Sequence, residues 1–165
     1  MGLADPWAEL SDGPLDHASV DTAMGHGADF AYGLAMAKPN RRVITLNGDG
    51  SMLMCLGTLV TMAQYPIENF TMVIVENGTY EVTGNQFVPG FGITDYEKIA
   101  RGAGLQQVRT LETSDDFDAH IEDHFTAKGP AVYIWRVEQT DQPIPRPKLP
   151  IAERTRRLIE ALREK

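Results

Sequence analysis

The sequence RVITLNGDGS, residues 42–51, contains the transition that decides the fold. Residues 42–47 are rich in β-branched side chains and predict a short strand, which runs straight into the glycine-flanked Asp49. A second apolar run, residues 70–76, predicts another strand, and residues 52–64 between them are apolar enough for a buried helix. A strand, a helix and a strand in this order predict two neighbouring parallel strands joined by a right-handed crossover.

The rest of the chain continues the alternation of helices and strands. Helices are predicted over 22–38, 96–103 and 114–127, and strands over 107–110 and 131–137. The first helix has Phe30, Leu34 and Ala37 at helical spacing, and Thr94 is expected to be the N-cap of the second. The pattern predicts a three-layer α/β/α fold with a mostly parallel sheet.

The predicted domain boundaries follow from shifts in composition. Residues 1–18 are expected to be an irregular lead-in, 19–140 the α/β domain, 141–150 a proline-rich connector and 151–165 a C-terminal helix. That helix is expected to present one apolar face, formed by Ile151, Leu158, Ile159 and Leu162.

Composition narrows the classes of function. The 165 residues contain 15 Lys and Arg against 23 Asp and Glu, a net charge of −8, which argues against nucleic acid as a partner. No apolar run is long enough for a membrane span, and the acidic N-terminus does not resemble a signal peptide. The single cysteine, Cys55, lies in an apolar run and predicts a buried thiol in a cytoplasmic protein.

Two turns at strand ends carry the candidate chemistry. After the first strand, two glycines and Ser51 stand at the start of a helix, where backbone N–H groups can bind a phosphate. The negative charge of that phosphate would repel the Asp49 carboxylate in the same turn. A divalent cation removes that conflict. Because 26 residues separate Gly50 from Asn77, one crossover places Asp49 and Asn77 at the same sheet edge. With the Thr79 carbonyl they form an oxygen set suited to Mg²⁺, although two unrelated turns would use the same residue types.

These motifs resemble the cofactor-binding (PP) domain of the thiamine diphosphate-dependent 2-oxoacid decarboxylase family. The similarity extends over residues 18–137 and includes AMGH at 23–26, GLA at 33–35 and PNRRVI at 39–44. Residues 77–86, NGTYEVTGNQ, are most similar to the sulfopyruvate and phosphonopyruvate decarboxylases, including the sulfopyruvate decarboxylase β subunit. Glu76 and Asn85 depart from the family pattern, and both differences bear on substrate choice.

The resemblance implies a role for particular residues. Asp49, Asn77 and Thr79 would bind Mg²⁺, and Met24 would support the bent cofactor, although a methionine here could equally be ordinary core. His26 and Glu81 are the candidate catalytic residues, with a solvated or helix-capping role as the alternative for His26. The implied cofactor-binding residues are Thr22, Ala23, Met24, Gly48, Asp49, Gly50, Ser51, Asn77, Thr79, Tyr80 and Glu81.

The resemblance also implies a partner and an assembly. In the family a catalytic glutamate lies on a separate pyrimidine-binding (PYR) domain, so we expect a PYR-domain α-type subunit, a small 2-oxoacid substrate and a dimer or higher oligomer. The alternatives are an acetolactate synthase-like carboligase subunit, a non-catalytic cofactor-binding regulatory module and a flavodoxin-like phosphate-binding domain.

Three further features complete the sequence predictions. His120 and His124 have the spacing of zinc ligands, but their acidic surroundings predict a solvated helix face. The arginine-rich tail predicts a docking helix or a solvated terminus. Residues 77–93 form a glycine- and proline-rich loop, which we expect to become protease-resistant only with Mg²⁺ and thiamine diphosphate.

Overall fold

A computed structural model describes residues 3–18, 24–139 and 149–163, with seven helices and six strands in that part of the chain. The helices are α1 (Ala4–Leu10), α2 (Gly27–Ala37), α3 (Asp49–Met54), α4 (Gly57–Gln64), α5 (Tyr96–Gly102), α6 (Ser114–Thr126) and α7 (Ile151–Arg163). The strands are β1 (Val43–Gly48), β2 (Phe70–Glu76), β3 (Thr79–Tyr80), β4 (Gln86–Phe87), β5 (Gln107–Leu111) and β6 (Ala131–Arg136).

The main sheet has four strands in the order β1-β2-β6-β5, and every pairing is parallel. β2 lies in the interior of this sheet, and all of its residues except Glu76 are buried. A strand buried on both faces reads as a continuous apolar run, which is why FTMVIVE lacks the alternation of a half-exposed strand.

Helices cover both faces of the sheet. On one face α2 contributes Ala28, Ala31 and Ala35 to the same core as Phe70 of β2, and Tyr32 makes an edge-to-face contact with Phe70 at a centroid distance of 4.9 Å. On the other face Phe117 of α6 stacks on Trp135 of β6 at 4.5 Å. The predicted three-layer α/β/α fold with a mostly parallel sheet is confirmed.

Several predicted helix details are wrong. The helix predicted over 52–64 is two helices, α3 and α4, separated at Cys55 and Leu56, and α3 already begins at Asp49. The buried face of α2 consists of Ala28, Ala31, Tyr32 and Ala35, while Phe30, at 49%, and Ala37 are exposed. The N-cap of α5 is Asp95 and not Thr94, because the Asp95 carboxylate accepts a hydrogen bond from the Lys98 N–H at 2.9 Å.

The segment 77–93 has more structure than a loop. β3 and β4 pair antiparallel, and a short 3₁₀ turn (Glu81–Thr83) joins them. Asn85 closes this turn with φ of 60°, a conformation that asparagine tolerates better than most residues. We call residues 79–87 the 79–87 hairpin.

Contacts between Cα atoms divide the chain into two compact units, residues 25–139 and a second unit made of 1–24 with 140–165. In the second unit the lead-in is not irregular, since α1 occupies Ala4–Leu10. α7 buries Leu158 and Arg154, and Arg157 forms an ion pair with Asp12 at 2.8 Å.

The apolar face predicted for the tail is only partly buried. Leu158 is 4% exposed, but Ile159 is 45% exposed. Most of the predicted 141–150 connector lies outside the described residues. None of the helices in the described ranges combines the length and hydrophobicity that a bilayer crossing requires.

Candidate functional site

The carboxyl ends of β1 and β2 form the candidate site. The two strands run in parallel register, with Gly48 opposite Val75, so that the residues that follow them meet at one sheet edge. Asp49 is the first residue of α3 and is 2% exposed. Its Oδ1 accepts a hydrogen bond from the Gly50 N–H and its Oδ2 one from the Gly78 N–H, both at 2.8 Å. The Asp49 carboxylate therefore links the two strand ends that the sequence predicted to be neighbours.

The electrostatic environment of Asp49 favours a positive ligand. Burial raises the pKa of its carboxyl, the N–H groups of Gly50 and Gly78 oppose that rise, and the charge of Glu81 adds to it. A buried carboxylate is stabilised by a cation or by hydrogen bonds, and here each oxygen has received one hydrogen bond. A bound divalent cation would offset the rest of the free-energy cost of burying the negative charge of Asp49.

Asn77 and Thr79 lie in the same turn. Asn77 Oδ1 accepts a hydrogen bond from the Thr79 N–H at 3.0 Å, which fixes the amide oxygen after the end of β2. Thr79 is 6% exposed, and its Oγ1 is buried with no hydrogen-bond partner among the described residues. A buried hydroxyl without a partner is costly, and a ligand oxygen or metal ion at this position would relieve that cost.

This donor set fits a hard cation. Carboxylate, amide, carbonyl and hydroxyl oxygens are ligands that suit Mg²⁺. The set contains only one acidic side chain, and the described residues form no cluster of three or more His, Cys, Asp or Glu side chains that could hold a metal. The unpartnered Thr79 Oγ1 adds an oxygen that the sequence prediction, based on the Thr79 carbonyl, did not include. The residues present therefore fit the predicted metal.

Tyr96 supports the site from beneath and was missed by the sequence reasoning. Its side chain is 2% exposed, and its hydroxyl donates to the Asp49 carbonyl oxygen at 3.3 Å. Burial, together with the charges of Asp49 and Glu76, raises the pKa of Tyr96, so the phenol stays a neutral donor. Only its position at the start of a helix after the loop could have signalled this contact.

Two aromatic rings, one in the 79–87 hairpin and one in the segment after it, pack on the two glycines of the site. A Cβ on Gly50 would collide with the ring of Tyr80, and a Cβ on Gly78 would collide with the ring of Phe91. Phe91 stacks on Phe87 at 4.5 Å, and both rings are more than half exposed. The hairpin is thus packed directly on the backbone that holds Asp49.

The candidate catalytic residues lie on different elements. His26 is the N-cap residue of α2, and its Nδ1 is 2.6 Å from Asp29 Oδ2. Its side chain is 54% exposed. Glu81 begins the 3₁₀ turn of the hairpin and is partly buried, as are Ser51 and Tyr80.

The remaining predicted residues are only partly located. Met24 is 52% exposed, so the alternative that it is ordinary core is wrong. Thr22 and Ala23 lie outside the described residues. The structure brings together Gly48, Asp49, Gly50, Asn77, Thr79 and Tyr80.

Of the histidine pair, the described part of the structure locates the side chain of His120. The Nδ1 of His120 is 2.8 Å from the Asp116 carbonyl, and its Nε2 contacts Arg109. The His124 side chain lies outside what the structure describes. His120 is thus engaged by its own helix and by β5.

Comparison with known families agrees with this geometry. The model of the thiamine pyrophosphate enzyme C-terminal TPP binding domain matches residues 12–134; thiamine pyrophosphate is another name for thiamine diphosphate. The chain belongs to this family. Its GDGS turn and its NGT turn, built here around Asp49 and Gly78, lie within the matched range.

Individual relatives are decarboxylases. The chain is 30% identical over 141 residues to the sulfopyruvate decarboxylase subunit beta of Methanocaldococcus jannaschii, covering 86% of this chain and 74% of that one. It is 31% identical over 116 residues to the phosphonopyruvate decarboxylase of Streptomyces hygroscopicus, covering 70% of this chain and 28% of that one. The thiamine diphosphate-dependent 4-hydroxybenzoylformate decarboxylase of Rhodococcus jostii RHA1 has a similar structure, with a TM-score of 0.54, 30% identity and coverage of 72% and 24%.

Proposed function

We propose that this chain is the Mg²⁺- and thiamine diphosphate-binding subunit of a 2-oxoacid decarboxylase. One observation carries the proposal: the buried Asp49 carboxylate accepts the Gly78 N–H and so joins the GDGS and NGT turns into one oxygen-rich site. The family match over residues 12–134 supports it independently of this geometry.

The metal would be held by three residues of the two turns. Asp49 supplies a carboxylate oxygen, Asn77 the amide oxygen, and Thr79 its carbonyl oxygen with the unpartnered hydroxyl beside it. The charge of the metal would offset both the buried Asp49 carboxylate and the diphosphate of the cofactor.

The diphosphate would lie at the start of α3. Gly48, Gly50 and Ser51 are proposed to contact it there through backbone N–H groups and the Ser51 hydroxyl, with the Gly50 N–H shared with Asp49 Oδ1; Ser51 is only partly buried. When bound, thiamine diphosphate supplies the nucleophilic carbon that makes loss of CO₂ from a 2-oxoacid possible. Thr22, Ala23, Met24, Tyr80 and Glu81 are proposed to contact the cofactor because they match the family motif.

His26 and Glu81 remain the candidates for proton transfer in this chain. Asp29 holds the Nδ1 side of His26, which leaves Nε2 as the ring nitrogen open to a ligand. Glu81 is at the mouth of the hairpin, near enough to Asp49 to affect its pKa. The main catalytic glutamate is proposed to come from a PYR-domain partner.

The partner proposal is supported by the name of the relative from Methanocaldococcus jannaschii, which is a subunit beta. Active sites in such an assembly would lie between chains, in a dimer or larger oligomer. The substrate is proposed to be a small 2-oxoacid of the sulfopyruvate or phosphonopyruvate type. The cytoplasmic location inferred from the single cysteine stays a prediction.

Reconstitution tests this proposal. The chain is mixed with a PYR-domain subunit recovered by affinity capture, and CO₂ and aldehyde are measured with sulfopyruvate and phosphonopyruvate in the presence of Mg²⁺ and thiamine diphosphate. Enzyme-like rates only for the mixture, with a free aldehyde product, are expected. A coupled hydroxyketone would indicate a carboligase, and full activity of the chain alone would contradict the need for a partner.

A further inference from the structure

A set of side chains outside the proposed metal site holds the first turn of α2 against α3 and α4. The Cys55 thiol donates to the Gly25 carbonyl oxygen at 2.6 Å, and it also lies 3.4 Å from the Ser51 carbonyl oxygen. Cys55 sits in the short break between α3 and α4 and is 9% exposed. The thiol therefore joins two backbone segments that are distant in sequence.

A second contact secures the same turn. Asp29, in the first turn of α2, accepts a hydrogen bond from the hydroxyl of Thr58 in α4 through Oδ1. The other oxygen of Asp29 is 2.6 Å from His26 Nδ1. Thr58 is buried, so the position of the imidazole is tied through Asp29 to the interior of the domain.

The fit between the turn and α3 requires glycine at position 25. Gly25 has φ of +81°, and a Cβ on it would lie 2.7 Å from the Cβ of Met54 and 3.2 Å from the Ser51 carbonyl oxygen. The backbone of the turn thus rests on α3 between Ser51, where the diphosphate is proposed to bind, and the last residue of the helix. From its apolar surroundings in the sequence, Cys55 is predicted only to be a buried thiol.

The protonation state of Cys55 agrees with its role as a donor. Burial raises the pKa of the Cys55 thiol, the hydrogen bond with Thr58 opposes that rise, and the charge of Asp29 adds to it. At neutral pH the sulfur therefore carries the proton that Gly25 accepts.

We propose that Cys55 and the Asp29–Thr58 contact are positioning elements that fix the Gly25–His26 turn relative to the diphosphate end of the cofactor. This proposal rests on the proposed binding of thiamine diphosphate. The turn directly follows Met24 and carries His26, so it defines where the non-phosphate part of the cofactor and its substrate meet this chain. The diphosphate itself is held by other residues, those around Asp49.

Because different residues are proposed to hold the diphosphate and the rest of the cofactor, two ligands can test the proposal selectively. The chain of residues 1–165, with saturating Mg²⁺, is titrated with thiamine diphosphate and separately with inorganic diphosphate in a calorimeter. Cys55→Ala is expected to weaken thiamine diphosphate roughly five- to tenfold, the effect of one lost hydrogen bond, and to leave inorganic diphosphate unchanged. Cys55→Ser, which keeps a donor, is expected to restore the affinity.

Thr58→Val provides an independent variant, since it keeps the side-chain shape and removes the hydroxyl that donates a hydrogen bond to Asp29. It is expected to show the same selective loss for thiamine diphosphate. Equal weakening of both ligands, or no change in either for both variants, would overturn the positioning role. Failure of the wild-type chain to bind thiamine diphosphate, both alone and with the PYR-domain subunit, would instead overturn the proposed function together with this inference.

Discussion

Gly78 shows how much of the site depends on a single backbone position. Its φ of +77° lies in the left-handed region, its N–H donates to Asp49, and the Phe91 ring packs where a side chain would begin. Any other residue would strain the backbone, displace the ring and disturb the hydrogen bond to the buried carboxylate. The NG pair after a strand is thus a structural requirement as well as a motif.

Gly78→Ala is expected to lower the free energy of unfolding by about 1–3 kcal/mol, the range for a residue forced into a strained backbone conformation. Gly33→Ala is the matched control, because Gly33 is an exposed helix position in α2 with no atom within 4 Å of an added Cβ. It should stabilise the protein by about 0.5–1 kcal/mol. Urea unfolding of both variants measures the difference; a Gly78→Ala variant as stable as wild type would contradict the description of this turn.

At the scale of elements, sequence periodicity predicted the strands better than the loops and helix ends. β2 reads as a continuous apolar run because it is buried on both faces, and α6 begins at a capping box formed by Thr113 and Asp116. The break at Cys55 and the hairpin over 79–87 have no comparable pattern. They arise from tertiary contacts, such as the Cys55–Gly25 and Tyr80–Gly50 pairs, that local sequence does not encode.

Glu97 fastens α5 to β5 and makes their packing depend on pH. Its Oε2 accepts from the Thr110 N–H at 2.9 Å and from the Thr110 hydroxyl at 2.7 Å, and Arg101 donates to its Oε1 at 2.9 Å. The hydrogen bonds from Thr110 first, and then those with Arg101, lower the pKa of Glu97 below its ordinary value. The folded state therefore binds this proton more weakly than the unfolded chain does.

Because the pKa is depressed on folding, the contribution of Glu97 is complete above its unfolded value, near 4.3, and is lost as the pH falls through the folded pKa. Glu97→Gln is expected to lower stability at pH 7 by about 1 kcal/mol and to lose less stability than wild type on acidification. The midpoints of urea unfolding, measured at pH 7 and at acidic pH, give both differences in stability. The exposed Glu68 provides the control Glu68→Gln, and parallel pH profiles for wild type and Glu97→Gln would count against the assignment.

At the scale of the whole molecule, the candidate site lies within residues 25–139. It consists of the turns at Asp49 and Gly78, the 79–87 hairpin, and the start of α2, which the Cys55–Gly25 hydrogen bond holds in place. Sequence alone predicted which turns meet, because parallel strands bring their carboxyl ends to one edge. It could not predict Tyr96, the Thr79 hydroxyl or Asp29 as parts of that region, since each acts through a contact between elements.

Binding of Mg²⁺ and thiamine diphosphate should order residues 77–93, which include the 79–87 hairpin. Phe87 and Phe91 are 66% and 54% exposed, and residues 77–93 contain no lysine or arginine, so chymotrypsin is the appropriate protease. We expect cleavage after these two residues to slow when Mg²⁺ and thiamine diphosphate are present. Cleavage after Phe125 on α6, which is 57% exposed, is the internal control. Equal rates at Phe87 and Phe91 with and without ligands would contradict the prediction.

The most direct test of the central claim is calorimetric titration of thiamine diphosphate into the wild-type chain and an Asp49→Asn variant, each with and without Mg²⁺. We expect binding to wild type that requires Mg²⁺, and loss of that metal-dependent binding in Asp49→Asn, because the variant lacks the charged oxygen ligand. Asp115→Asn, which removes an exposed carboxylate on α6, should bind as wild type does. Equal, Mg²⁺-dependent affinity in Asp49→Asn and wild type would contradict the site described here.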